Sequence, residues 1–217
     1  MIYTHVFWDF NGTVFDDAEA GFQTINILLS RYHLPTFQNI DCYRNAFSFP
    51  IIEFYQKMGF DFEKWDYNQI AKEWLELYTY HTQSSGYFAC VPSCVQSLKA
   101  LGAKQIIFSA GEIKTLKIQL NVLGISNLFD DILGNSNPRG DGKTALGLQY
   151  MQKHSPQRAV LIGDTNHDFE VAKAMGIDVV LVSKGHQSEK ILQETGALVF
   201  CDLPSAVHYL KECTENH

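Results

Sequence analysis

Tyr3-Thr4-His5-Val6-Phe7-Trp8-Asp9 is a short strand-forming run that ends on a carboxylate and continues into Phe10-Asn11-Gly12-Thr13. Further β-rich runs occupy residues 105–109, 129–133, 159–163, 179–182 and 198–200, with amphipathic stretches between them. Strands alternating with helices build a parallel sheet covered by helices. Glycines stand where those helices should stop: Gly124 follows Ile113, Leu116, Leu120 and Leu123, and Gly176 follows Ala172 and Met175. The fold class read from this pattern is α/β, with a Rossmann-like parallel sheet core.

The region after the first strand differs in composition. Between Phe15 and Tyr87 lie 17 of the 28 aromatic residues, whereas 12 of the 15 glycines lie outside that stretch. Ala18, Phe22, Ile25, Leu28, Leu29 and Tyr32 recur at helical spacing, as do Ile70, Trp74, Leu77, Tyr78 and His81, with Pro35, Pro50 and Gly59 as punctuation. Residues 1–14 and 88–217 are therefore expected to form the α/β core, and residues 15–87 an inserted all-helical domain. Residues 15–17 and 84–86 are the expected hinges. Phe22, Tyr43, Phe47, Phe54 and Trp74 are expected to pack the helical domain rather than touch a ligand, although an aromatic-rich pocket suits a sugar or nucleoside.

The chain has 217 residues, 46% hydrophobic and 19% charged, enough for one large domain or two small ones. A formal charge of -7 advertises no surface for nucleic acid or anionic lipid, so an anionic substrate needs a metal or a local cation. No apolar run approaches the ~18 residues of a membrane helix, and the polar first residues lack a signal-peptide pattern. The expectation is a cytoplasmic monomer or homodimer with no nucleic-acid or membrane partner. The odd cysteine count, five without a CxxC pair, fits reduced thiols, and the histidine spacing does not make a helical zinc site.

Ligands of parallel α/β sheets gather at the carboxyl ends of the strands. The first run ends on Asp9, the second on Ser109, and the fourth on Gly163-Asp164, with Lys143 ahead of the helix that leads into it and Asp168 four residues beyond. Two carboxylates at neighbouring strand ends repel unless a cation sits between them, and a hard, oxygen-ligated ion such as Mg²⁺ suits that geometry. Asp168 would hold a metal-bound water or ligate directly. Singly, each has an ordinary explanation as a turn residue, a cap, a helix-dipole partner or a solvated lysine; their joint occurrence on one sheet edge points to a site.

DFNGT at positions 9–13, the strand ending in Ser109, Lys143, and GDTNHD at 163–168 resemble the four ordered motifs of the haloacid-dehalogenase superfamily of phosphohydrolases, across nearly the whole chain. The helical insertion resembles that superfamily's small cap, and the general likeness is to phosphoglycolate-phosphatase-type members. The resemblance implies a phosphomonoester hydrolase acting on a small phosphorylated metabolite. Asp9 would be the nucleophile that forms an aspartyl phosphate, Ser109 and nearby amides such as that of Ala110 would hold phosphoryl oxygens, and Lys143 would neutralise charge. Asp9, the Asn11 carbonyl and Asp164, with Asp168, would form the Mg²⁺ site. The Gly111 region and the helix after it offer further amide donors.

Phosphatases of this superfamily carry Asp two residues after the nucleophile, as general acid and base; here the residue is Asn11. An amide cannot shuttle a proton, and losing a general acid typically costs about 10² to 10⁴ in rate. The rival reading is a pseudophosphatase that binds Mg²⁺ and a phosphorylated ligand or partner with little turnover. Dehalogenases also lack this Asp but normally work without Mg²⁺, whereas GDTNHD keeps both acidic positions. Phosphonoacetaldehyde hydrolases need a cap lysine, for which Lys57, Lys64 and Lys72 are ordinary surface residues. Residues 137–144 nearly spell a phosphate-binding GxxxxGKT loop but lack its first glycine. If the Asn form turns over, the proton carrier would be a substrate oxygen, water or a cap residue such as His81, whose pKa suits the task but whose place on an aromatic helix face favours a structural role.

Overall fold

The computed structural model describes residues 3–136 and 142–215; residues 137–141 of the GxxxxGKT-like stretch lie outside them. In chain order the elements are β1 (His5–Trp8), α1 (Ala18–Arg31), α2 (Ile40–Ala46), α3 (Ile51–Lys57), α4 (Tyr67–His81), α5 (Val91–Lys99), β2 (Lys104–Glu112), α6 (Ile113–Val122), β3 (Asp131–Asn135), α7 (Gly142–His154), β4 (Ala159–Gly163), α8 (Asn166–Met175), β5 (Asp178–Val182), α9 (Glu189–Gln193), β6 (Leu198–Phe200) and α10 (Leu203–Glu215). The strands form one parallel sheet in the order β3-β2-β1-β4-β5-β6. This is the order of doubly wound nucleotide-binding sheets, whose crevice lies where the winding reverses, at β1.

The apolar runs divide by alternation, because successive strand residues point to opposite faces. Val6, Trp8, Ile107, Val160 and Ile162 pack with α5, α6 and α10 through Val95, Leu116 and Leu210; Phe7, Ile106, Phe108 and Leu161 pack with α7 and α8 through Tyr150, Val171 and Met175. The fully buried Trp8 indole donates to Gln105 Oε1 at 2.9 Å, and the Gln105 amide donates to the Ala103 carbonyl at 2.7 Å, so this buried polar pair is satisfied. Two expected boundaries move: β2 runs past Ser109 to Glu112, with a register shift between Phe108 and Glu112, and β3 lies at Asp131–Asn135 rather than 129–133. Helices α2 and α3, of seven residues each, are too short to show as periodicity.

Helices α1 to α4 are inserted between β1 and α5 and enclose their own apolar core, built on Ile25, Leu28, Leu29, Phe54, Phe60 and Ile70. The chain leaves and re-enters the sheet layer through paired segments: Asp16 N–H donates to the Gly86 carbonyl and Phe88 N–H to the Val14 carbonyl, at 3.0 and 3.1 Å. Among the described residues no helix is long and apolar enough to cross a membrane.

Candidate active site

Asp9 extends the central strand by one residue, its N–H donating to the Ile162 carbonyl at 2.9 Å. Pairing with β4 on one side and β2 on the other brings Asp9, Asp164 and Ser109 to one edge. Lys143 enters from the first turn of α7, whose backbone starts at Gly142 with φ of 84°. Its ammonium is buried, donates to Asp9 and to Asp168 Oδ1 (2.6 Å for the latter), and lies 5.1 Å from the centre of the Phe108 ring. Asp168 is turned by helix α8: its Oδ2 accepts from the Thr165 N–H at 3.1 Å and the Thr165 hydroxyl at 2.7 Å, the reach-back half of a capping box. Asp164 accepts from the Thr13 hydroxyl at 3.2 Å and from the His186 N–H at 2.7 Å. Gly12, at φ of 73°, and Gly185 approach so closely that a Cβ on either would collide with the Asp164 carboxylate.

The donor set fits a cation. Carboxylate oxygens of Asp9, Asp164 and Asp168 lie within 4.8 Å of one another, and the Lys143 ammonium pairs with two of them, Asp9 and Asp168. Burial lifts the Asp164 carboxyl to about 7 against the opposing charge of His186, and lifts Asp9 well above the usual carboxylate range against that of Lys143. Asp168 goes the other way: burial would raise it, but Lys143 holds it low. Burial would likewise strip the Lys143 proton, and the two carboxylates keep it in place. Every oxygen of Asp164 and Asp168 accepts at least one hydrogen bond, and the ionised carboxylates of Asp9, Asp164 and Asp168 keep further lone pairs for an oxygen-seeking ion.

A second layer was not legible as a site. Asn11 spends both amide hydrogens, donating to Asp17 Oδ2 at 2.8 Å and to the Tyr78 hydroxyl at 2.7 Å; the Tyr78 hydroxyl in turn donates to Asp17. Asp17 also accepts from the Gly12 N–H at 2.7 Å, and His186 Nε2 lies 3.3 Å from it. Burial alone would lower the His186 pKa, but Asp17 raises it to about 9. Asp17 is itself held below its usual value because His186, Tyr78 and Asn11 outweigh its burial. His186 lies in the loop after β5, another carboxyl strand end, so the rule that found Asp164 would have found it.

Ser109 is buried beside this cluster, and its hydroxyl accepts from the Gly111 N–H at 3.0 Å. The Ala110 carbonyl accepts from Asn135 at 2.6 Å. The Gly111 amide, expected as a free donor, is thus engaged within its own turn. Asp9, Asn11, Ser109, Ala110, Lys143, Asp164 and Asp168 all line one cavity of about 350 Å³ that rises under α1 to α4. His81 does not line it; His167 and His186 do.

Residues 6–182 match the family model described as haloacid dehalogenase-like hydrolase. The chain is 23% identical over 209 residues to phosphoglycolate phosphatase of Caulobacter vibrioides, covering 92% of this chain and 88% of that one. It is 24% identical over 202 residues to the tyrosine-protein kinase PtkA of Mycobacterium tuberculosis, covering 89% and 67%. The crystal structure of a predicted phosphatase from Clostridium acetobutylicum superposes with a TM-score of 0.75 at 19% identity, covering 98% of this chain and all of that one. A matched segment of this length, carrying the acids and lysine that converge at the sheet edge, means that the chain belongs to the haloacid dehalogenase-like hydrolase family.

Proposed function

We propose that the protein is a Mg²⁺-dependent phosphomonoester hydrolase that works through an aspartyl phosphate on Asp9. The observation that carries this reading is the Asp9–Lys143–Asp168 chain facing Asp164 at the floor of the cavity. The names of the two relatives share phosphoryl chemistry, and phosphoryl transfer needs in-line positioning and charge neutralisation above all. Bound between Asp9 and Asp164, with the Asn11 carbonyl as a further ligand, Mg²⁺ would supply the positive charge that lets a phosphate approach a carboxylate. Asp9 attacks phosphorus; Lys143, fixed by Asp168, offsets the charge gathering on the phosphoryl oxygens; Ser109 and the Ala110 amide bind those oxygens. Water then attacks phosphorus and releases Asp9. We assign residues 1–14 and 88–217 to the catalytic core and 15–87 to a cap that excludes water during the first displacement.

The test is phosphate release from a panel of phosphorylated metabolites with and without Mg²⁺, together with Asp9→Asn. The expected result is Mg²⁺-dependent release that Asp9→Asn abolishes. One observation favours the second reading: both Asn11 amide hydrogens are sequestered, so position 11 has no proton to give. Tight binding of a phosphate mimic without turnover of any substrate would establish the protein as a pseudophosphatase.

A further inference from the structure

The cavity above Asp9 has two distinct ends. Its floor holds the charged cluster. Its roof and walls come from α1 to α4, where Ile25, Phe47, Phe49, Trp74, Leu75 and Tyr78 face the space. Trp74 and Tyr78 are stacked, with centroids 4.6 Å apart and planes 13° from parallel, and make a continuous aromatic wall that the Tyr78 hydroxyl ties to Asn11 and Asp17. Phe49 stacks on His167 with centroids 4.8 Å apart, and Phe47 lies 5.3 Å from the His186 ring, so the aromatic surface continues down to the floor. The sequence pattern assigned Phe47 and Trp74 to packing alone; both also face the cavity.

Charge is as informative as shape. Among the described residues the basic side chains that line the cavity are Lys143, His167 and His186. Lys143 serves Asp9 and Asp168, His186 faces Asp17, and the His167 ring is stacked on Phe49. Among the described residues this leaves only the His167 imidazole, and no lysine or arginine, for a second anionic group, so a substrate that carries a carboxylate as well as its phosphate would bury that charge poorly paired, at a cost. The Asn11 amide is oriented by chemistry: Asp17 only accepts, so the NH₂ must face it, and the carbonyl oxygen is what remains for the cavity. Position 11 therefore offers no proton to a departing oxygen.

Resting on the phosphohydrolase reading, we propose that the substrate is a phosphate ester of an aromatic hydroxyl, with its ring seated between the Trp74–Tyr78 wall and Phe47 and Phe49. Two independent features meet in this class. An aromatic ring fits an apolar upper cavity whose described walls carry no lysine or arginine, and 350 Å³ is ample when a cavity of about 150 Å³ holds benzene. A phenol, with a pKa of about 10 against about 15.7 for water, also leaves without a general acid. The step balances as follows: an Asp9 carboxylate oxygen bonds to phosphorus as the bond from phosphorus to the aryl oxygen breaks. The electron pair departs on that oxygen as phenolate, which takes its proton from water outside the cavity. Water then attacks phosphorus as the bond from phosphorus to the Asp9 oxygen breaks; the water proton passes to a phosphoryl oxygen, inorganic phosphate leaves and Asp9 is again a carboxylate.

The experiment compares kcat/KM, with Mg²⁺, for phenyl phosphate, glycerol 3-phosphate, phosphoglycolate and acetyl phosphate. Acetyl phosphate also needs no acid but has no ring. In parallel, binding of benzylphosphonate and methylphosphonate is followed by calorimetry and tryptophan quenching. Phenyl phosphate should exceed both alkyl phosphates, and Trp74→Ala should lower the ratio of phenyl to acetyl phosphate kcat/KM at least about tenfold, with Trp74→Phe retaining most of it. Benzylphosphonate should bind at least about tenfold more tightly than methylphosphonate. Alkyl phosphates turned over as well as phenyl phosphate, or a ratio unmoved by Trp74→Ala, would overturn the aryl assignment while hydrolysis stands. Selective benzylphosphonate binding with no phosphate released from any of the four would instead keep the ring site and remove the hydrolase reading.

Discussion

Asn11 shows how one residue type changes what its neighbours must be. With an amide at 11, Asp17 is free to be a buried carboxylate, because it receives hydrogen bonds from Asn11, Gly12 and Tyr78 and the charge of His186. Asn11→Asp would bring two acceptor-only groups within 2.8 Å, and they could coexist only by sharing a proton. We expect this variant to unfold at a lower temperature at pH 8 than the parent, and Asn11→Asp combined with Asp17→Asn to recover part of the loss, measured by scanning calorimetry. The proton so trapped gives position 11 an acid, and release from glycerol 3-phosphate should rise by about 10² or more relative to phenyl phosphate. Because Asn11 precedes Gly12, peptide mass spectrometry must verify the residue in each sample. Lys143→Ala removes the cation between Asp9 and Asp168. Capture of beryllofluoride, measured by ¹⁹F NMR, should fall by about 10² or more, while circular dichroism with Mg²⁺ present should remain that of a folded protein.

Among the elements, the helical insertion and the sheet meet at few covalent points. The linkers at 15–17 and 84–86 are hydrogen-bonded to each other, and Asp17 and Tyr78 clamp α1 and α4 to the loop after β1. If the insertion moves as a unit, this clamp must open with it. Hydrogen exchange at 84–86 should be faster than in β1 and β4 and should slow when beryllofluoride and Mg²⁺ are added; exchange as slow as in the central strands, and insensitive to the mimic, would mean a fixed cap. Tyr78→Phe removes the hydroxyl that joins Asn11 to Asp17, leaves the ring stacked on Trp74, and should accelerate exchange at both linkers.

For the molecule as a whole, charge balance sets the response to pH and metal. The Asp164 and His186 pKa values are both raised, to about 7 and about 9. A raised value means that the folded state binds the proton more tightly, so stability falls as pH rises, from about 4 to 7 for Asp164 and from about 6.5 to 9 for His186. Asp17 and Asp168, held low, act oppositely and lose their contribution only as pH falls below the ordinary carboxylate range. The metal-free protein should therefore be most stable in mildly acidic solution. Mg²⁺ bound as proposed would compete with protons for Asp9 and Asp164, so it should raise Tm by about 4 °C or more at pH 8, an effect worth one to two kcal/mol in a chain of this size, and by clearly less at pH 5. Equal shifts at both pH values would mean that the ion binds elsewhere.

Local sequence determined the strands, the order of the motifs and the polar groups at their ends, because these depend on short-range properties: β-forming runs, periodicity, and glycines at helix ends such as Gly176, which sits at φ of 68°. Asp9, Lys143, Asp164 and Asp168 were legible for the same reason, each lying within a few residues of a recognisable strand or helix start. Tertiary structure alone decided how the second layer pairs. Asp17, Tyr78 and His186 come from α1's approach, α4 and the loop after β5, and Tyr78 and Asp17 are 61 residues apart while His186 and Asp17 are 169 apart. No local pattern encodes a hydrogen bond across such separations. It is likewise the packing of α1 to α4 over the sheet that turns Phe47 and Trp74, which helical spacing marks only as apolar, toward the cavity, and that commits both amide hydrogens of Asn11.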